Sequence, residues 1–397
     1  MSKNSIGVAV IGAGMAGKAH AAAYRAAAGV YDTTLPEIRL VSIADVFEPL
    51  AESAAKRFGF ERHDTSWQAL AEAEDVDVVS VVVANRLHRE IVEGLLAAGK
   101  HVLCEKPLSD TLEDAEAMVA AARRADSIGR IGLTFLRQPG IAYVQRLIEE
   151  GTLGNILHVS GRYLTDYGCD PQAPISWRYK GPQGSGALAD VGSHLSYLIE
   201  MLGGEVEAVS GGVLSTAITS RPKPLGNVVG HEHVEVSEER EPVENDDYAA
   251  FTVKYANGTA GTFEVSRVAT GHANTLAFEV YGDKGSAKFD FDRPSEVRVF
   301  LNDGDTANAG FRTVILGPDH PYWRGGFAMD APGVGVGQNE GFVFQARAFL
   351  EEVAGIPEGE SLPRVATFET GLRNMRLLDA VARSAQRQGA AVAVKES

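Results

Sequence analysis

Val8–His20, VAVIGAGMAGKAH, is the stretch that decides how the chain is read. A short apolar run, Val8 to Ile11, is closed by Gly12, Gly14 and Gly17, and an alanine-rich segment, Lys18 to Ala28, follows at once. Strand, glycine turn and helix form the context in which a GxGxxG string predicts dinucleotide binding. Gly12 permits the tight turn, Gly14 lets the backbone approach a pyrophosphate, and Gly17 lets the helix pack closely on the strand. The phosphates would sit on the free N–H groups at the positive end of that helix, which puts Met15 and Ala16 among the expected cofactor residues. In a chain with 43 glycines the string alone carries little; its place between a first strand and a clean helix makes it specific.

The rest of the chain bounds the possibilities. At 397 residues it is too long for one ordinary core, so two domains are expected. Apolar and charged fractions of 45% and 23% are those of a soluble globular protein. A net charge of −16, with no basic cluster, argues against nucleic acid and anionic membranes as partners. The N-terminal MSKNS runs straight into the first strand with no signal-peptide core, and the longest apolar run, Val78 to Ala84, suits a buried strand rather than a bilayer span. Cys104 and Cys169 stand alone, so neither a disulfide framework nor a zinc site is indicated, and a cytoplasmic location is expected.

Beyond the glycine turn, Ile38 to Ala44 reads as a second strand ending at Asp45, where an acidic residue would accept hydrogen bonds from the adenosine ribose. Val46 and Phe47 follow, with no Arg or small polar residue for a 2′-phosphate, so NAD is favoured as cofactor; the ordinary alternative is a solvated loop Asp. Helices are expected over Glu48–Phe58 and Ser66–Ala73, the latter capped by Thr65. Val76 to Ala84 is an almost unbroken β-branched strand, followed by Asn85, His88 and a helix to Ala98. His101–Cys104, a helix over Leu112–Asp126 and a strand over Gly129–Phe135 complete an α/β, doubly wound parallel sheet, residues 1–135.

The pattern then changes. A helix over Ile141–Glu150, a strand over Ile156–Leu164 and a helix over about Ala187–Leu202 precede a mostly β region to Leu316. Phe251, Val253 and Tyr255 alternate with small or polar neighbours, as do Ala287, Phe289 and Phe291, and Asn257-Gly258 and Asp283-Lys284-Gly285 punctuate hairpins. Alternation implies one covered face, so residues 136–397 are expected to form an α+β domain with a large, open-faced, mainly antiparallel sheet. A glycine-rich loop, Ala331 to Gly341, precedes a helix to Ala354, and an amphipathic helix over Thr367–Gln388 closes the chain.

Four features then fall in order: GAGMAG, Asn85 with His88, Glu105-Lys106-Pro107, and Asp190-Val-Gly-Ser-His194. Together they resemble the Gfo/Idh/MocA family of NAD(P)-dependent oxidoreductases, which act mainly on sugars, inositols and their derivatives through an N-terminal Rossmann domain and a C-terminal α/β domain. Removing hydride from a secondary alcohol requires the hydroxyl proton to leave while a donor stabilises the growing charge on oxygen. Lys106, at the end of a strand in an open α/β sheet, lies where ligands bind and can polarise that oxygen. Asp190 and His194, four residues apart on an expected helix, share a face; His194 titrates in the useful range and Asp190 can orient it. By resemblance, Lys106, Asp190 and His194 are the catalytic set. Taken singly, a strand-end Lys is an ordinary surface charge and an i, i+4 Asp–His pair an ordinary helix link; their joint order beside a nucleotide fold gives them weight.

The resemblance also implies cofactor contacts from Ala84, Asn85, His88, Glu105, Trp177 and Arg178, although His88 could equally cap its helix. The polar Asn-Tyr-Arg string common in the family is replaced by Thr134-Phe135-Leu136-Arg137. Tyr163-Leu164-Thr165-Asp166 with Pro174 to Arg178 looks like the members that oxidise levoglucosan and related hexosides, which makes Tyr163 and Asp166 substrate candidates beside Lys106, Asp190 and His194. His320-Pro-Tyr322-Trp323 has the mix that stacks on a sugar, with core packing as the alternative for its aromatics. Subunit pairing through the open sheet face, as a homodimer or homotetramer, is a further implication. Two other readings stay open: an NAD-dependent glycoside hydrolase or epimerase working through a transient 3-keto sugar, and a non-enzymatic NAD(H) sensor. His231-Glu232-His233 lies beside an acidic loop, Glu235 to Asp247, and reads as a solvated turn rather than a metal site. Gly333-Val-Gly-Val-Gly337 lacks the Lys-Ser/Thr of a P-loop and reads as a mobile loop, and Cys104 as a buried strand-end thiol.

Overall fold

The computed structural model describes residues 4–31, 35–181, 186–226, 234–323 and 329–395. Two compact units form, Met1–Gln138 with Gly317–Leu372, and Pro139–Leu316 with Arg373–Ser397.

In the first unit, strands β1 (Ser5–Ile11), β2 (Glu37–Ala44), β3 (Arg62–Asp64), β4 (Val78–Val81), β5 (His101–Glu105) and β6 (Gly129–Gly132) pair in parallel in the order β3-β2-β1-β4-β5-β6. This is the doubly wound arrangement expected from the sequence. Val8, Val10, Val78, Val79, Val102 and Leu103 are wholly buried, as strands covered on both faces must be. Helix α1 (Met15–Ala27) follows the glycine turn, and α2 (Glu48–Phe58) ends at Gly59, whose φ of 76° suits a left-handed cap. Helix α3 (Trp67–Glu72) is capped by Ser66, whose side chain accepts from the Ala69 N–H, and not by Thr65. Helices α4 (His88–Ala97) and α5 (Leu112–Arg124) complete the crossovers. β6 stops at Gly132, short of the expected Phe135, because Thr134–Arg137 turn into a 3₁₀ helix.

Residues 317–372 return to this first unit, although the sequence expectation put them with the second domain. The physical cause is a set of buried long-range ties. Arg137 is 4% exposed and donates to the carbonyls of Pro363 and Arg364, both at 2.6 Å. The helix Gln338–Val353, whose first four residues fall inside the expected loop, packs on α1: Arg347 donates to the Ala27 carbonyl at 3.1 Å, and Ala346 and Phe349 join the core of β1 and α1.

The second unit opens with α6 (Pro139–Glu149) and β7 (Ile156–Leu164). Two short helices, α7 (Ala187–Asp190) and α8 (Gly192–Gly203), stand where one was expected, separated by Val191. Strands β8 (Val206–Ser215), β9 (Ser220–Pro224), β10 (Val236–Pro242), β11 (Tyr248–Tyr255), β12 (Ala260–Ser266), β13 (Thr275–Gly282), β14 (Gly285–Asp290), β15 (Glu296–Leu301), β16 (Arg312–Ile315) and β17 (Val392–Ala393) follow. Nine strands order as β16-β15-β14-β13-β7-β12-β11-β8-β17, antiparallel except for the β7–β12 pair, while β9 and β10 pair separately. The period-two pattern holds: Phe251, Val253, Tyr255, Phe263, Val265, Phe278 and Val280 are buried. That face meets α8, where the Tyr255 hydroxyl donates to the Ile199 carbonyl at 3.0 Å. Gly203 is needed at this contact, because a Cβ there would come within 2.3 Å of the Tyr255 ring. The opposite face carries Arg162, Tyr248, Glu264, Glu279, Lys288 and Arg298 around a concavity of about 770 Å³.

Candidate functional site

In the first unit the glycine turn has the geometry a dinucleotide needs. Gly12 has a φ of 99°, and a Cβ there would meet the Val82 carbonyl oxygen at 2.0 Å. At Gly17 a Cβ would lie 1.8 Å from the Gly12 carbonyl oxygen, so only glycine allows α1 this close to the turn. Gly14 differs: a Cβ there would meet nothing within 4 Å, leaving a bare backbone facing open space. The first bond of α1 runs from the Lys18 N–H to the Gly14 carbonyl, so the N–H groups of Met15, Ala16 and Gly17 precede its ladder, and no acidic residue sits in the first turn. Asp45 follows β2 with both carboxylate oxygens oriented, Oδ2 by the Ala13 N–H at 2.9 Å and Oδ1 by the Phe47 N–H at 3.0 Å. Val46 and Phe47 beside it are exposed. A pyrophosphate on the open Gly14 cradle and a ribose on a pre-oriented Asp45 fit these residues.

Along the same sheet edge, Ala84 leads into a 3₁₀ turn that begins with Asn85, and the Asn85 side chain hydrogen-bonds Asp110. His88 is wholly buried, with Nδ1 3.2 Å from the Leu108 carbonyl and Nε2 3.1 Å from the Val83 carbonyl. It ties the end of β4 to the segment after β5, and burial draws its pKa down against the pull of those two carbonyls. Glu105 closes β5 at 9% exposure, accepting from His20 and, at 3.1 Å, from the Lys106 N–H. Burial pushes its carboxyl up, but the His20 hydrogen bond, with the Lys106 charge and N–H beside it, outweighs that and holds it below the usual carboxylate range. Lys106, half-buried, leads into a cis bond to Pro107. The Cys104 thiol is fully buried and pushed far up by burial and then by the Glu105 charge, as an inert strand-end thiol should be.

In this unit His320 holds a turn, its Nδ1 accepting from the Gly317 N–H at 3.1 Å. Its neighbours take the packing alternative. Trp323 is 1% exposed, and Tyr322, at a φ of 68°, stacks on Phe344 with ring centroids 5.0 Å apart. Tyr31 donates to the Tyr322 carbonyl at 2.7 Å and Arg137 to its hydroxyl at 3.1 Å, which explains how a strained backbone is held there.

In the second unit the structure gathers a polar cluster around α7 and α8. Asp190 Oδ2 accepts from the Tyr167 hydroxyl at 3.0 Å. His194 Nδ1 lies 3.2 Å from the Tyr197 hydroxyl, and the Tyr163 ring meets the His194 ring edge-on at 5.8 Å. Tyr163 in turn donates to Asn274 Oδ1 at 2.7 Å. Burial first, and the Asp190 charge second, raise both the Tyr163 and Tyr167 phenols well beyond their ordinary range, so both stay neutral donors. Asp166 lies half-buried in the same segment, its carbonyl accepting from the Cys169 N–H. Trp177 is 54% exposed, with the Arg178 guanidinium 4.6 Å over its ring and Arg178 Nε buried without a partner among the described residues.

Sequence reasoning missed what holds this cluster. The stretch Glu235–Asp247, expected as an acidic loop, is in part strand β10, and its end is buried. Asp246 Oδ2 accepts from the Leu188 N–H at 2.7 Å and its carbonyl from the Ala187 N–H, fastening the start of α7. Asp247 and Arg267, both wholly buried, pair at 2.8 Å, and Arg267 also donates to Asn245 and to the Arg178 carbonyl. Tyr179 lies between Arg221 and Arg267, 4.0 and 4.5 Å from its ring. No local signal marks these residues, because each partner lies in a separate strand or loop. His231-Glu232-His233 lies outside the described residues. Among the described residues no group of three or more His, Cys, Asp or Glu could hold a metal, and no helix is long and apolar enough to cross a membrane.

Comparison with known proteins agrees with this arrangement. Residues 6–133 match the model of an oxidoreductase family with an NAD-binding Rossmann fold, and residues 141–288 match the GFO/IDH/MocA C-terminal domain. The chain is 36% identical over 392 residues to levoglucosan dehydrogenase from Pseudarthrobacter phenanthrenivorans, covering 97% of each protein. It is 27% identical to inositol 2-dehydrogenase from Rhizobium meliloti over 75% of this chain and 79% of that one. A solved levoglucosan dehydrogenase in complex with NADH and L-sorbose superposes with a TM-score of 0.89 at 35% identity, covering 99% of this chain and 100% of that chain. The chain therefore belongs to the Gfo/Idh/MocA family of NAD-dependent oxidoreductases.

Proposed function

We propose that this protein is an NAD-dependent dehydrogenase that oxidises a secondary ring hydroxyl of a sugar, with 1,6-anhydrohexoses such as levoglucosan as the first substrate class and inositols as the second. The observation that carries the reading is the near full-length similarity to levoglucosan dehydrogenase, joined to Lys106 directly after β5 in the first unit and to Asp190 on α7 and His194 on α8, each braced by a tyrosine, in the second. Gly12, Gly14, Met15, Ala16 and Gly17 receive the pyrophosphate, Asp45 the adenosine ribose, and Ala84, Asn85 and Glu105 the nicotinamide side; Trp177 and Arg178 are assigned to the cofactor as well. NAD, when bound, supplies the ring carbon that accepts the hydride. His194 takes the hydroxyl proton, Lys106 stabilises the negative charge growing on that oxygen, and Asp190 orients the imidazole and favours its protonated form. Tyr163, Asp166 and His320 are assigned to the sugar. The carbon–hydrogen bond breaks with its electron pair, the C–O bond becomes a carbonyl, and the proton stays on His194.

The concave, charged face of the second unit's sheet is the surface by which two copies would pair, giving a homodimer or homotetramer, and the cytoplasm is the proposed location. Neither nucleic acid nor membrane is a proposed partner. The test is NADH formation, read by absorbance, with NAD or NADP against inositols, aldoses and 1,6-anhydrohexoses. NADH from one sugar group, falling about 10²–10³-fold in Lys106→Ala while NADH affinity is kept, is the expected result. Sugar turnover without NADH accumulation would move the assignment to the transient-keto hydrolase or epimerase; tight NADH binding with no turnover of any sugar would move it to the sensor.

A further inference from the structure

Helix α1 carries two polar side chains on the face it buries. His20 is 2% and Tyr24 1% exposed, one turn apart beside Gly17, Ala21 and Ala27. Polar groups in the middle of a doubly covered sheet cost free energy unless each is hydrogen-bonded. Here they are. The Tyr24 hydroxyl lies 2.9 Å from Ser80 Oγ, Ser80 Oγ lies 3.0 Å from His20 Nδ1, and His20 Nε2 lies 2.9 Å from Glu105 Oε1. With a neutral imidazole protonated on Nε2, one direction satisfies the whole chain: Tyr24 donates to Ser80, Ser80 to Nδ1, and Nε2–H to the carboxylate. The second carboxylate oxygen, Oε2, accepts the Lys106 N–H at 3.1 Å.

Neighbouring elements both leave room for this arrangement and enclose it. A Cβ at Gly132 on β6 would come within 2.7 Å of Glu105 Oε1 and 3.2 Å of Gln345 Nε2. On the other side Phe342 meets the His20 ring edge-on at 5.3 Å, so the imidazole cannot swing away from the carboxylate without displacing that ring. The chain of four side chains therefore spans from α1, the helix whose N-terminus is offered to phosphate, across β4, to the strand end that carries Lys106.

We infer that His20 is a positioning residue, holding the Glu105 carboxylate in one orientation for the nicotinamide-side ribose, with Ser80 and Tyr24 holding His20. The inference rests on the assignment of Glu105 to the cofactor made above. Its consequence is that the glycine-turn helix and the Glu105-Lys106 strand end are set by one buried chain, so that loss of the Nε2 donor is felt at the cofactor rather than at the sugar.

Replacing His20 by asparagine or by glutamine separates the two ring nitrogens. The shorter asparagine amide reaches only as far as Nδ1 does, whereas the longer glutamine amide reaches as far as Nε2. NADH affinity by fluorescence, kcat, the sugar KM and the melting temperature are measured on the full chain for H20N, H20Q, E105Q and S80A. Expected is H20Q within about threefold of the parent, and H20N about tenfold weaker for NADH with a lowered kcat and an unchanged sugar KM, matching E105Q. Equal behaviour of H20N and H20Q would overturn the inference, since a packing role does not distinguish the nitrogens. If E105Q leaves NADH affinity unchanged, the assignment of Glu105 itself is wrong and the inference falls with it; if E105Q weakens NADH and H20N does not, only the inference falls. Should H20N not fold, S80A decides: it removes the hydroxyl shared by Nδ1 and Tyr24 and leaves Nε2 and Glu105 in place, a loss of NADH affinity supports the inference, and parental affinity overturns it.

Discussion

The two units assemble their polar groups in opposite ways. In the first, Gly12 to Gly17, Asp45, Ala84, Asn85, Glu105 and Lys106 each lie at or just after the C-terminal end of a parallel strand, so one sheet edge collects them whatever the lengths of the crossovers. In the second, a mixed sheet offers no such common edge. Asp190 is braced by Tyr167, Tyr163 by Asn274 and the start of α7 by Asp246, across sequence separations of 23, 111 and 58 residues. Parallel topology delivers a site as a by-product of the fold, whereas the mixed sheet needs dedicated buried partners to hold one.

The most severe way to break the second arrangement is Asp247→Ala. It leaves the Arg267 guanidinium, wholly buried, without its carboxylate, and also removes the acceptor of the Ala217 and Ile218 N–H groups. A loss of about 3–5 kcal/mol from the second unit is expected, seen in denaturant unfolding as an earlier transition. A change below about 1 kcal/mol would mean that the surrounding loop, not the ion pair, carries the unit.

The first unit is tested by a pair of glycines. Gly17→Ala drives a Cβ into the Gly12 carbonyl and should destabilise by about 1–3 kcal/mol while weakening NADH. Gly14→Ala meets no protein atom within 4 Å, so its stability should change by no more than about 1 kcal/mol while NADH affinity still falls. If both variants lose stability alike, the bare backbone at Gly14 serves the fold and not the pyrophosphate.

Tyr167→Phe sharpens the contrast at the smallest scale, since it removes one hydroxyl and keeps the ring. Loss of a hydrogen bond to a carboxylate, worth about 1.5–3 kcal/mol, should lower kcat/KM for the sugar at least tenfold with NADH affinity unchanged. Unaltered kcat/KM would mean that α7 alone orients Asp190.

Legibility follows the same division. The glycine turn, five of the six parallel strands and the one-sided alternation of β11 and β14 were readable because strand, turn and helix are encoded within a few residues of one another, whereas the three-residue β3 is too short to show a pattern. Small departures, such as Ser66 rather than Thr65 as the cap of α3, or β6 ending at Gly132, come from terminal residues that local propensity specifies weakly. Larger ones come from packing. The return of 317–372 to the first unit depends on Arg137 and Arg347 reaching carbonyls more than 200 residues away, and the Tyr322–Trp323 pair is drawn into that core rather than displayed.

Local backbone geometry and hydrophobic period alone place a dinucleotide turn at the first strand, Lys106 directly after a parallel strand, and Asp190 and His194 in one mainly helical segment, which the structure breaks at Val191. Long-range packing alone brings His20 to Glu105 and Tyr167 to Asp190, and buries Asp247 with Arg267. Those pairings close loops of 20 to 85 residues, and their free energy comes from excluding water around groups that no local pattern brings into contact.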